Sequence, residues 1–102
     1  MWSAKGIDMH MNDLTEDPKD RASRYLKNFE TTIAKFTPTN EDVEVNERAV
    51  KRVSDAIMRY FDDARYYIKD GKSVTALASI AYAEGLMDAL TFLELTKTNI
   101  TR

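Results

Sequence analysis

The chain has no cysteine, one histidine, two prolines and three glycines in 102 residues. Without cysteine there is no disulfide, no thiol nucleophile and no thiolate zinc site, and the composition suits a reducing compartment such as the cytoplasm. The single histidine, His10, excludes any metal site built from several imidazoles. So little glycine and proline leaves scant material for a turn-rich β fold. Charge of one sign is lacking too. Fifteen Lys and Arg stand against 17 Asp and Glu, a formal net of -2, whereas a dedicated DNA or RNA binder shows a basic field or stripe.

Long apolar runs are also scarce. The first eleven residues hold a lone Lys5 and no apolar core of the kind a signal peptide needs. The most apolar stretch, Val74 to Leu95, is long enough to span a bilayer. It carries Glu84 and Asp88 near its centre, where an aspartate costs about 2.5–3.5 kcal/mol to insert. The chain therefore reads as a soluble protein with no membrane partner, no nucleic-acid partner and no cofactor.

What remains is one globular domain, 43% hydrophobic and 31% charged. Its pattern predicts an all-α, antiparallel three-helix bundle. Residues 1–16 form a loose arm, 17–97 the bundle with helices over about 17–36, 46–70 and 73–96, and 98–102 a tail. In the arm, Trp2, Ile7, Met9 and Met11 are available to dock on the bundle. The first helix opens with Asp17 as cap, Pro18 at the first helical position and Asp20 in the first turn. Ala22, Leu26, Phe29, Ile33 and Phe36 follow at helical spacing, an apolar stripe expected to face the core. Thr37 and Pro38 end it, because the residue before a proline is pushed out of the helical region.

The second helix begins with Thr39 or Asn46 as cap. Its stripe is Val50, Val53, Ile57, Tyr60, Ala64 and Tyr67, an unbroken 3-4 alternation. Glu47, Lys51, Asp55, Arg59 and Asp63 alternate in sign on another face, which reads as a solvated surface. Gly71 supplies a left-handed helix stop, and Ser73 a cap for the third helix. The link between these two helices is so short that they must be antiparallel neighbours. Asn99-Ile100-Thr101 matches a glycosylation sequon, read here as chance.

The third helix is apolar nearly all round. Val74, Ala78, Ala81, Gly85, Ala89 and Phe92 share a face of mostly small side chains, expected to let neighbouring backbones approach. The opposite side carries Ala76, Ile80, Ala83, Met87 and Leu90, with Leu86 on the flank. A helix apolar all round is normally buried all round, and two neighbours cannot surround it. Three covers for the outer face stay open: the N-terminal arm, a second copy in a two-fold dimer, or a different protein. The outer-face residues Ala76, Ile80, Ala83, Met87 and Leu90 are thus the candidate interface.

The carboxylates Asp62, Asp63, Glu84 and Asp88 are the candidate metal ligands of an alternative, a metal-dependent all-α nucleotide hydrolase. Such enzymes resemble paired Glu-x-x-Glu and Glu-x-x-Asp motifs. Here the third helix offers an i,i+4 pair and the first motif is missing. The plainer reading makes Asp88 a hydrogen-bonded carboxylate held by Tyr60, Tyr67 or Arg59. Tyr60, Tyr66, Tyr67 and Tyr82 read as core rings with hydroxyls at the rim, since no basic groove accompanies them for stacking bases.

The run Tyr60-Phe61-Asp62-Asp63-Ala64-Arg65-Tyr66-Tyr67, then Gly71, then Ala76 through Tyr82-Ala83-Glu84-Gly85-Leu86-Met87-Asp88-Ala89 resembles the archaeal domain-of-unknown-function family 357. The resemblance covers about Ala22 to Leu95. It departs at Leu86, where the family pattern often has Trp. It implies a short helical bundle from an archaeal cytoplasm and an accessory role, with a nucleotidyltransferase-like enzyme as a candidate partner. It carries over no catalytic residue; Asp63, Tyr82, Gly85 and Asp88 simply match the pattern. The chain is also similar to HEPN-type helical domains. Their ribonuclease members use an Arg-x4-6-His motif that a chain whose one histidine is His10 cannot form. The expectation is a non-catalytic interaction or accessory module that self-associates or docks through the outer face of the third helix.

Overall fold

The computed structural model describes residues 17–97. The arm with Trp2, Ile7, Met9, His10 and Met11 lies outside them, as does the sequon at Asn99. Three helices follow in order: α1 (Pro18–Ile33), α2 (Glu47–Lys69) and α3 (Ser73–Phe92). There is no strand among the described residues.

Local chemistry sets the helix ends. Asp17 accepts a bond from the Lys19 backbone N–H at 3.1 Å, ahead of Pro18. Asn46, rather than Thr39, caps α2 by accepting from the Ala49 N–H at 2.8 Å. Ser73 does not cap α3; the cap position falls on Lys72, which offers no side-chain acceptor, and Ser73 is the first helical residue. α1 stops three residues earlier than expected. Lys35 and Phe36 donate to the carbonyls of Thr32 and Ile33, which tightens the last turn before Pro38 is reached.

α2 and α3 end alike. At α2, Gly71 (φ 77°) follows the cap; its N–H donates to Ile68 O, and that of Lys72 to Tyr67 O at 2.9 Å. At α3, Glu94 takes the same left-handed position (φ 60°), with Glu94 N–H on Thr91 O and Leu95 N–H on Leu90 O at 2.8 Å. Both are Schellman closures, one built on glycine and one on glutamate. A side chain in that region costs roughly 1–2 kcal/mol. Glu94→Gly is therefore expected to stabilise the fold by about 1 kcal/mol, and Gly71→Ala to cost about as much. Urea denaturation of the two variants checks both signs.

α2 and α3 pack side by side as an antiparallel hairpin. Residues equally far from Gly71 face each other, so Tyr60 meets Tyr82 edge to face with ring centroids 4.5 Å apart. The core is Tyr60, Tyr67, Ala76 and Ala83, with Ile57, Ala78 and Tyr82 packed against it. Rings on α2 lie against alanines on α3, so large meets small across the seam. Val50, Val53 and Ile57 continue the α2 stripe, half-buried.

Two faces differ from expectation. In α3 the packed residues are Ala76, Ala83 and Leu90, with Thr75 and Ser79 fully buried. Val74, Ala81, Gly85, Ala89 and Phe92 are exposed. The predicted inside and outside of α3 are exchanged except at Ala78, which does pack on the core. Apolar side chains are spread almost evenly round this helix, so periodicity carries no directional signal. The bulk of Tyr60 and Tyr67 selects the alanine row at seven-residue spacing. Nor does Gly85 admit a close backbone: a Cβ built there meets nothing within 4 Å.

The stripe of α1 does not face the core. Leu26 (63%), Phe29 (53%), Ile33 (50%) and Phe36 (65%) keep at least half their surface exposed. α1 joins the hairpin at its first turn, where the buried Arg21 donates from Nη1 to Thr75 Oγ1 at 3.2 Å.

Candidate interaction surface

The residues placed at the candidate interface divide. Ala76, Ala83 and Leu90 are buried against their own chain, so they are not available to a partner as that reading required. Met87 is half-buried, and its carbonyl accepts from Thr91 Oγ1 at 3.0 Å. Ile80, also half-buried, lies on the wall of an open groove.

That groove runs between α2 and α3 on one side of the hairpin and encloses about 500 Å3. The buried Ala64 and Ala76 form its floor, and the exposed Ser73 lines one end. Phe61 and Ile68 from α2 and Leu77 and Ile80 from α3 form its walls, and Arg65 lies beside Phe61 with its guanidinium 5.3 Å from the ring centre. Phe61, Ile68 and Leu77 are exposed. These three fell outside every stripe in the sequence. The available signal was their apolar character at positions flanking the α2 and α3 seams.

On the opposite side of the same two-helix layer sits Arg21 with Thr75. At 100° per residue, Thr75 points about 150° away from the centre of the groove residues of α3. Among the described residues, the hairpin thus has one side holding the first turn of α1 and another side that no other helix covers.

The four acidic residues do not assemble. Among the described residues, no three His, Cys, Asp or Glu side chains come close enough to hold a metal ion. For Asp63 and Asp88 the reason is the hairpin register. With Tyr60 opposite Tyr82, Asp63 is level with Ser79 and Asp88 with Ser54, an axial offset of roughly 13 Å at 1.5 Å per residue. Side-by-side helices bring two positions together only if both are equally far from the turn. Tyr60 does not hold Asp88 either, since its enclosed hydroxyl has no hydrogen-bond partner among the described residues. On the alternating α2 face, Lys51 and Asp55 form an exposed pair at 2.9 Å, worth about 0.2–0.5 kcal/mol.

Tyr60, Tyr67 and Tyr82 belong to the core, whereas Tyr66, expected there too, is 61% exposed. Burial pushes the phenols of Tyr60, Tyr67 and Tyr82 above their usual value; nearby Asp63 adds to this for Tyr60 and Tyr67, and Arg59 opposes it for Tyr60 and Tyr82. The folded state therefore keeps these protons after the unfolded chain, titrating near pH 10, has begun to lose them. Their contribution is complete below about pH 10 and declines as pH rises through the folded values. Urea midpoints should hold from neutrality to about pH 9 and then fall, with phenolate absorbance lagging that of the unfolded chain.

Helical hairpin, appended amphipathic helix and no assembled reactive group among the described residues define a small all-α protein whose notable feature is exposed apolar surface. The family model described as protein of unknown function (DUF357) matches residues 24–96. The chain belongs to that family. The match covers most of α1 and all of α2 and α3. No curated protein and no solved structure matches the chain. No helix among the described residues is long and apolar enough to cross a membrane.

Proposed function

We propose that this protein is a non-catalytic helical interaction module that binds a protein partner through the apolar surface its own packing leaves open. The observation that carries this reading is α1, an amphipathic helix whose Leu26, Phe29 and Ile33, with Phe36 just beyond its end, lie at least half in solvent. Such a helix gains most of its stability from tertiary burial of its apolar face, so an unpartnered stripe asks for a partner. The proposed surface moves accordingly from the outer face of the third helix to α1 and the α2–α3 groove. The lack of cysteine and the family resemblance support a cytoplasmic, archaeal setting, and the resemblance alone supports a nucleotidyltransferase-like enzyme as the one assisted.

Hydrogen exchange on the free chain tests the reading. Amides of α1 from Leu26 onward should exchange far faster than those of α2 and α3, and should slow when a partner binds. Strong protection of α1 in a monomer would mean that the stripe packs on its own chain, and the reading would fail. Calorimetric titration with magnesium or manganese, beside a nucleotide turnover assay, addresses the hydrolase alternative. No heat and no turnover are expected; turnover abolished by Asp63→Asn would overturn the non-catalytic assignment.

A further inference from the structure

We propose that Arg21 is a polar pin that fixes the direction in which α1 leaves the hairpin, and so presents the α1 stripe in one orientation. The inference deepens the interaction-module reading and rests on it for the use of that orientation; the pin itself is tested without a partner. Arg21 is the one buried residue of α1, 5% exposed in a helix whose residues from Leu26 onward are all exposed. It meets the hairpin at Thr75, which has no exposed surface, and neither has Ser79 one turn further along α3. The core beside them is built of tyrosine rings and alanines, so a charged side chain enters an otherwise apolar seam through hydroxyl groups. The contact itself is directional. Burial of an apolar side chain would also attach α1, but that force is proportional to area and has no direction, and a short helix could roll under it. A guanidinium donates from a rigid planar fork, and the bond from Nη1 to Thr75 Oγ1 at 3.2 Å weakens steeply off line. Tyr25, one turn on and half-buried, braces the fork: its ring centre lies 5.8 Å from the Arg21 guanidinium and 5.1 Å from that of Arg24.

Position along the hairpin supports the same role. By the register that sets Tyr60 against Tyr82, Thr75 is level with Tyr67, itself 5% exposed and close to the Gly71 turn. The socket is thus built where α2 and α3 are covalently joined and cannot part. The other end of α1 has no comparable hold. Residues 36–46 are exposed and outside any helix, and a connection of that length reaches about 35 Å when extended. A helix held at one end and loosely tethered at the other takes its direction from the held end. Arginine does not give up its proton in proteins, so the pin does not switch with pH. Fixing the direction of α1 before a partner arrives lowers the ordering cost of binding.

Double electron–electron resonance on the full chain tests the pin, and the absence of cysteine lets spin labels be placed without other changes. The labels go on Ser23→Cys, just past Arg21, and on Asp62→Cys of α2, both exposed positions. A single narrow distance is expected. Thr75→Ser keeps the acceptor and should keep that peak. Arg21→Met combined with Thr75→Val removes both polar partners together, a change that can be nearly neutral for stability. This double variant should therefore melt cooperatively by circular dichroism, as its parent does, while the narrow peak is lost. A broad distribution in the parent overturns the proposal, as does a double variant that keeps the narrow peak. A double variant without a cooperative melt overturns it too, because Arg21 and Thr75 would then support the fold rather than aim α1. Hydrogen exchange keeps the two levels apart. Fast exchange from Leu26 onward, with the narrow peak retained in the double variant, removes the pin alone; a protected α1 in a monomer removes the interaction-module reading, whatever the peak does.

Discussion

Leu90→Asp should unfold the helical hairpin rather than strip it of a partner. Leu90 is buried near the last turn of α3, and its carbonyl accepts the Leu95 N–H that closes the helix. Removing its side chain costs about 2–5 kcal/mol in lost burial and cavity. Placing a carboxylate there adds several more, because an unpaired charge is expelled from an apolar setting or must take up a proton. The sum is comparable with the whole stability of a small domain, about 5–15 kcal/mol. Circular dichroism should show loss of the cooperative melt at neutral pH. A variant that melts like its parent but no longer associates would place Leu90 on an outer face and contradict the packing described above.

Tyr60 should separate the value of a ring from that of its hydroxyl. The ring is 3% exposed, stacks edge to face on Tyr82 and stands at the centre of the core cluster. Tyr60→Ala should cost about 3–5 kcal/mol, as for other large aromatic deletions. Tyr60→Phe should do the opposite, because a buried hydroxyl without a partner carries a desolvation cost of about 1–3 kcal/mol that phenylalanine does not. A gain near 1 kcal/mol is expected from chemical denaturation. Should Tyr60→Phe instead destabilise by more than about 1 kcal/mol, the hydroxyl must have a partner and the core would be more polar than described.

Much of this protein could be read without its coordinates. Asp17-Pro18 marks a helix start because its carboxylate and ring suit an N-terminus wherever they occur. Gly71 marks a stop because it enters the left-handed region without cost. The α2 stripe was legible because its apolar residues are concentrated on one side, and the structure buries Tyr60, Ala64 and Tyr67 from it. Glu94 gave no such signal: a glutamate in a left-handed turn is imposed by the Schellman closure after α3, against its local preference.

Tertiary packing decided the rest. Which side of α3 meets α2 depends on where Tyr60 and Tyr67 need small neighbours, a relation between two helices that neither displays alone. Whether Asp62, Asp63, Glu84 and Asp88 converge depends on hairpin register, fixed by the turn at Gly71 and not by their spacing along either helix. An amphipathic stripe states that a face wants burial, but not against what. For α1 the sequence by itself determined the stripe, and only the fold, by joining α1 to the hairpin through Arg21 at its first turn, decided that the helices of the described residues would leave it exposed.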